Sequence, residues 1–189
     1  MAAHTFAQLP WRAPEVRSWQ TMYSIDAEFL RFDEVRFGDV FGATGVYVLW
    51  TRDAAVKPSY IGEGDIVERV QSHRKEKKWG TRIQTGCVAL MGKDDAEVVE
   101  ALLLDAAKDL FDSLPTYNTH PGKFSRVGER FTGSDRTVRV KVSGWHPLRE
   151  GARVQGSVLL HARLERIGEE GCCYRTEHPW RASSGRTRA

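Results

Sequence analysis

The stretch PSYIGEGDIVERVQSH, residues 58–73, holds a strand, a helix start and an arginine and a histidine one helical turn apart. Tyr60 and Ile61 sit among glycines just past a proline, which suits a short strand after a turn. Asp65 can accept a hydrogen bond from a free amide of a first helical turn, and Ile66, Val67 and Val70 follow at helical spacing. A helix is therefore expected from Asp65 to about Lys77. It carries Arg69 and His73 on one face, because residues four apart stack on a helix surface.

Working outward, TGVYVLW (residues 44–50) is a run of β-branched and aromatic residues opened by Gly45. A polar connection containing Pro58 separates it from YIG, so the two segments read as a strand hairpin bearing Tyr47 and Tyr60. RIQTGCVALM (residues 82–91) reads as a third strand, followed by a turn at Gly92, Lys93, Asp94 and Asp95. Ala96 to Asp112 form the clearest helix, stopped by Pro115. The order is strand, strand, helix, strand, helix. The expected fold class is α/β, with a small three-stranded, mainly antiparallel sheet flanked by helices.

Composition restricts the function classes. The chain has 189 residues, enough for one domain with appended elements. Its 28 Lys and Arg outnumber 25 Asp and Glu by a formal +3, a mild excess that permits an anionic partner without demanding one. Mean hydropathy is −0.46, and no apolar run is long enough to cross a bilayer, so no membrane role is expected. The three cysteines, Cys87, Cys172 and Cys173, have no repeated spacing and no apolar leader precedes them, which points to a reducing cytoplasm without disulfides. Cys172, Cys173 and His178 make a poor zinc set, because adjacent cysteines rarely close around one ion.

The flanks are read separately. Residues 1–44 form an N-terminal extension whose mixed periods, as in SIDAEFLRFDEVRF, suit short strands or turns. Residues 45–118 form the core. Residues 119–189 form a C-terminal extension in which RTVRVKVSG alternates valines with Arg139 and Lys141, the pattern of a strand with one basic face. Residues 154–167 fit helix and strand equally. The final ASSGRTRA reads as a loose basic tail, with Arg186 and Arg188 following Arg181.

With these pieces in order, GVY at Gly45–Tyr47 and YIG at Tyr60–Gly62 resemble the paired motifs of the GIY-YIG nucleases. The resemblance extends through IVERVQSH, VEALLL and PTYN and covers residues 45–118. It departs from the family in a loop one residue shorter between YIG and Arg69, and in a long interval between Glu100 and Asn118. The resemblance implies a metal-dependent endonuclease in which Tyr47 or Tyr60 activates or orients the attacking water and His73 shares protons or contacts phosphate. Arg69 would grip the phosphate, Asn118 brace the site, and Gly62 let the backbone pass close to substrate.

The resemblance also implies one metal-binding carboxylate on the second helix, Glu100 or Asp105. Three and four positions from Glu100 lie Ala96, Glu97, Leu103 and Leu104, so Glu100 borders the buried stripe and can be oriented, whereas Asp105 neighbours Lys108 and Asp109 on a solvated face. Glu100 is the chosen ligand. One carboxylate suits Mg²⁺, or Mn²⁺, because such ions take oxygen ligands and retain waters.

Arg74, Lys75, Lys77 and Lys78 read either as a solvated helix end or as phosphate contacts beside Trp79, and Arg139 and Lys141 as further contacts. Taken singly, each site residue has a structural alternative: core tyrosines, an Arg69–Asp65 helical pair, an ordinary helix histidine. The expected partner is nucleic acid, DNA ahead of RNA, with a restriction or phage-defence role. A homodimer or larger defence complex is open, because one active site cuts one strand. The alternatives are a non-cutting nucleic-acid-binding subunit of a DNA-processing or defence assembly, and an RNA-directed nuclease.

Overall fold

The computed structural model describes residues 22–53, 57–120, 136–144, 147–149, 158–167 and 171–176. They form a mixed sheet of strands β1 (Met22–Arg31), β2 (Thr44–Thr51), β3 (Tyr60–Asp65), β4 (Ile83–Leu90), β5 (Arg136–Gly144), β6 (Val158–Ile167) and β7 (Gly171–Thr176). Two helices, α1 (Ile66–Glu76) and α2 (Lys93–Phe111), accompany them. The strand order is β3-β2-β4-β1-β5-β6-β7, and only the β1–β5 pairing is parallel.

The expected α/β class holds, and the three antiparallel strands β3-β2-β4 are present. The expected size of the sheet is corrected: it has seven strands, not three. The extra strands come from the flanks. β1 pairs with β4 through Leu30 and Arg31, and with β5 through Met22 to Phe29, so it bridges the central hairpin to the C-terminal strands. β1 is also a single ten-residue strand rather than short pieces. Ile25, Ala27 and Phe29 are buried while Ser24, Asp26 and Glu28 are exposed, the alternation of a strand with one covered face.

Segment ends differ modestly. Asp65 caps α1 as its sequence requires, its carboxylate accepting from Glu68 N at 2.9 Å. α2 starts at Lys93, three residues before the apolar pattern begins, because Asp94 and Asp95 favour the positive end of a helix and serve as its first turn. The undecided segment 154–167 contains β6. The tail from residue 177 onward, with Arg181, Arg186 and Arg188, lies outside the described residues.

β2 is buried on both faces because helices cover both. On one face Val46, Val48 and Trp50 join Phe29, Ile61 and Ala89 against Leu102, Leu103 and Ala106 of α2. On the other, Tyr47, Leu49 and Val88 pack with Ile66 and Val70 of α1, with Phe32, Phe37 and Trp79 at the margin. Fully burying each large aliphatic contributes about 1.5–3 kcal/mol, so the α2 layer anchors the sheet and the smaller α1 layer carries polar groups among its aromatics.

Candidate active site

Tyr47 and Gly62 are directly paired across the β2–β3 hairpin, and the smaller core lies over them. A Cβ on Gly62 would sit 2.7 Å from Tyr47 Oη and 2.7 Å from Tyr60 Cε1, so glycine is required for the two phenols to share this space. This differs from the substrate contact expected of Gly62. The residue is buried, and its missing side chain makes room for tyrosine rings.

Tyr47 is fully buried, and its hydroxyl is 2.8 Å from His73 Nε2. The two residues lie 26 positions apart and meet because α1 crosses the hairpin. His73 is also buried, and among the described residues its Nδ1 has no hydrogen-bond partner. Burial, then the positive charges of Arg69 and Lys77, push the imidazole pKa down to about 4, so the ring is neutral at neutral pH. The hydrogen bond runs from Tyr47 Oη to Nε2 when the ring proton is on Nδ1, and from Nε2 to Oη in the other tautomer.

Tyr60 is half-buried, its ring 4.6 Å from that of His73 in an edge contact and 6.1 Å from that of Tyr47. Both phenols are raised above their ordinary pKa and stay protonated. For Tyr47 the causes are burial and then the Tyr60 phenol, with Glu100 also contributing; for Tyr60 they are burial and then Glu100. Arg69 pulls both the other way.

These effects bear on the two α2 carboxylates. Glu100 is half-buried and its charge acts on both tyrosines. Asp105, half-buried like Glu100 rather than on the expected solvated face, is not among the principal charges acting on either, in keeping with its place roughly 140° further round the helix. Glu63, a buried carboxylate on β3, also raises both tyrosines, and it was missed in the sequence. The available signal was strand alternation: Glu63 pairs with Val46 and shares its inward face.

Arg69 is exposed on α1. Its Nε approaches the Glu63 carbonyl at 3.5 Å, and its side chain crosses Gly64, whose φ of +125° excludes other residues at low strain. The alternative pairing with Asp65 is not formed: that carboxylate caps α1. Asn118 is held at the free edge of β3, where its Oδ1 accepts from Ile61 N at 2.9 Å and its Nδ2 donates to Ile61 O at 2.8 Å. Both sides of the amide are thereby used in bracing, and they extend the ladder of an edge strand.

Arg74, Lys75, Lys77 and Lys78 are all exposed beside the site, and the charge of Lys77 reaches His73. Arg139 and Lys141 are not brought there. Both lie on β5, which β4 and β1 separate from β2, and Lys141 is 3.9 Å from Asp26 in an exposed, weak ion pair.

Among the described residues no group of three or more His, Cys, Asp or Glu side chains is placed to hold a metal. A single half-buried carboxylate, Glu100, whose charge acts on two phenols, suits a hard ion such as Mg²⁺ that keeps most of its waters better than a zinc or calcium cage. No family model, curated protein or solved structure matches the chain. Among the described residues, no helix is long and apolar enough to cross a membrane.

Proposed function

We propose that the protein is a metal-dependent endonuclease that hydrolyses phosphodiester bonds in DNA, with a restriction or phage-defence role. The observation that carries this is the meeting of Tyr47, Tyr60 and His73 around one buried hydroxyl–imidazole hydrogen bond of 2.8 Å, with the charges of Arg69 and Glu100 both acting on the two phenols. Core packing explains a pair of tyrosines. It does not explain an exposed arginine and a half-buried carboxylate whose opposite charges act on the same phenols. The resemblance to GIY-YIG nucleases supports the same assignment.

In this mechanism Arg69 holds two phosphate oxygens with its planar fork. The half-exposed Tyr60 hydroxyl orients the attacking water. Tyr60 Oη accepts the water proton while passing its own to Tyr47 Oη, which passes its proton to His73 Nε2, a relay that requires the tautomer with hydrogen on Nδ1. The hydroxide forms the new P–O bond as the bond to the leaving oxygen breaks. Glu100 would hold Mg²⁺ or Mn²⁺, which supplies positive charge against the phosphate when bound. His73 is a weak base in the free protein partly because Arg69 and Lys77 face it. A bound phosphate offsets both charges and so raises its basicity when a proton must be taken.

The test is incubation of purified protein with plasmid, linear duplex, single-stranded DNA and RNA, each with Mg²⁺ or EDTA. Mg²⁺-dependent scission of DNA is expected. Binding without scission on every substrate favours the non-cutting subunit, and scission of RNA alone favours the RNA-directed enzyme.

A further inference from the structure

The tyrosine pair is one end of a longer aromatic column. Tyr60 stacks on Trp79 with ring centroids 5.5 Å apart and planes 29° apart, and His73 lies 5.2 Å from the same indole. On its other side Trp79 stacks on Tyr117 at 4.6 Å, with planes only 5° apart. The column thus runs from the fully buried Tyr47 to the half-buried Tyr117. Trp79 contacts the smaller core at its margin, but Tyr117 lies outside it. Among the described residues, the Tyr117 ring stacks only on Trp79.

Its position is fixed by backbone bonds. Tyr117 N donates to Ser59 O at 2.9 Å, and the next residue, Asn118, is tied to Ile61 on both sides of its amide. The ring is therefore presented by the β3 edge rather than by a loose loop. A nearly parallel stack at 4.6 Å is one of the favoured arrangements of two aromatic side chains, and a nucleobase stacks on an aromatic ring in the same way. Basic residues adjoin this column: Arg74, Lys75, Lys77 and Lys78 are exposed and lead directly into Trp79. Aromatic faces beside cations are the elements of single-strand recognition, in which bases stack and phosphates pair with charge.

We infer that Tyr117, backed by Trp79, is a stacking site for an unpaired nucleobase of the substrate strand. This rests on the proposed nuclease function and deepens it. The scissile phosphate would lie at Arg69 and His73, and the base held by Tyr117 would lie two rings away along the column. The preferred substrate then carries an unpaired or extruded base beside the cut.

The test is binding of a fluorescent single-stranded oligodeoxynucleotide in EDTA, where cutting is suppressed, alongside versions with one abasic position moved along the strand. The proteins are wild type, Tyr117→Leu and Tyr117→Phe, each checked by thermal melting. For wild type, one abasic position should weaken binding roughly 5- to 150-fold, the range of one base–aromatic stack. Tyr117→Leu should bind the intact strand that much more weakly and be indifferent to the same abasic position, while Tyr117→Phe should behave as wild type. If wild type binds the strand but every abasic version binds equally well, or if Tyr117→Leu keeps the wild-type abasic penalty, the stacking site is wrong and the nuclease proposal stands. If wild type binds no nucleic acid, both are overturned.

Discussion

Tyr47→Phe removes one oxygen from a fully buried ring and leaves the rest of the packing in place. Its effect is set by what the oxygen holds: a 2.8 Å hydrogen bond to His73 Nε2, on a ring whose Nδ1 lacks a partner among the described residues. The substitution strands a second buried nitrogen, a penalty of about 1–3 kcal/mol. At roughly 2–4 °C of melting temperature per kcal/mol for a chain of this size, the loss is roughly 2–12 °C. The double variant Tyr47→Phe/His73→Leu removes both polar partners, so it should be more stable than the sum of the single changes predicts, by about 1 kcal/mol. Turnover is affected separately. Below the melting transition, single-turnover cleavage by Tyr47→Phe should fall about 10²- to 10⁴-fold, the usual worth of a positioned proton acceptor, with little change in DNA affinity. Melting curves and single-turnover rates for Tyr47→Phe, His73→Leu and the double variant measure both effects. Turnover within twofold of wild type, or strictly additive stabilities, would refute the coupled Tyr47–His73 pair.

Three further outcomes are expected. Glu100→Ala should abolish cleavage while leaving folding and most DNA binding intact, and Asp105→Ala should do little; the reverse pattern in the same cleavage assay would move the metal ligand to Asp105. Arg69→Lys keeps the charge but loses the planar fork, and should lose about 2–4 kcal/mol of transition-state stabilisation, read as reduced turnover at near-normal melting temperature. His73 has a folded pKa of about 4 against 6.5 for the free side chain, so between those values the unfolded chain binds more protons. The stability this group contributes is therefore complete above about pH 6.5 and is lost as pH falls toward 4, by at most about 3 kcal/mol. The difference between wild-type and His73→Gln unfolding free energies across that window measures it, and a flat difference would contradict the buried neutral ring.

The central part of this fold was legible because local signals agreed. Asp65 before Ile66, Val67 and Val70 dictates a capped helix, and α1 begins there. Two β-branched, tyrosine-bearing runs across a proline dictate a hairpin, and β2 and β3 pair as expected. The seven-stranded sheet was not legible, since the parallel β1–β5 pairing joins segments more than a hundred residues apart and no local pattern encodes it. Ile25, Ala27 and Phe29 alternate with exposed polar residues along β1, but within SIDAEFLRFDEVRF that period is mixed with others, so the segment read only as short strands or turns. At the site, the helical spacing of Arg69 and His73 correctly put both on one helix. It could not say that His73 meets Tyr47, which depends on how α1 crosses the hairpin. Gly62 appeared as an opening for substrate because the ring that fills its space belongs to the neighbouring strand. Arg139 and Lys141 have the composition of phosphate contacts, yet their strand lies across the sheet from the tyrosines.

Cleavage of supercoiled plasmid by purified wild-type protein and by Glu100→Gln, each followed with Mg²⁺ and with EDTA, tests the central claim most directly. Nicked or linear product is expected from wild type with Mg²⁺ only, and none from Glu100→Gln under either condition although it still binds the plasmid. Equal cleavage by Glu100→Gln, or cleavage by wild type that persists in EDTA, would contradict a metal-dependent nuclease centred on Tyr47, His73, Arg69 and Glu100.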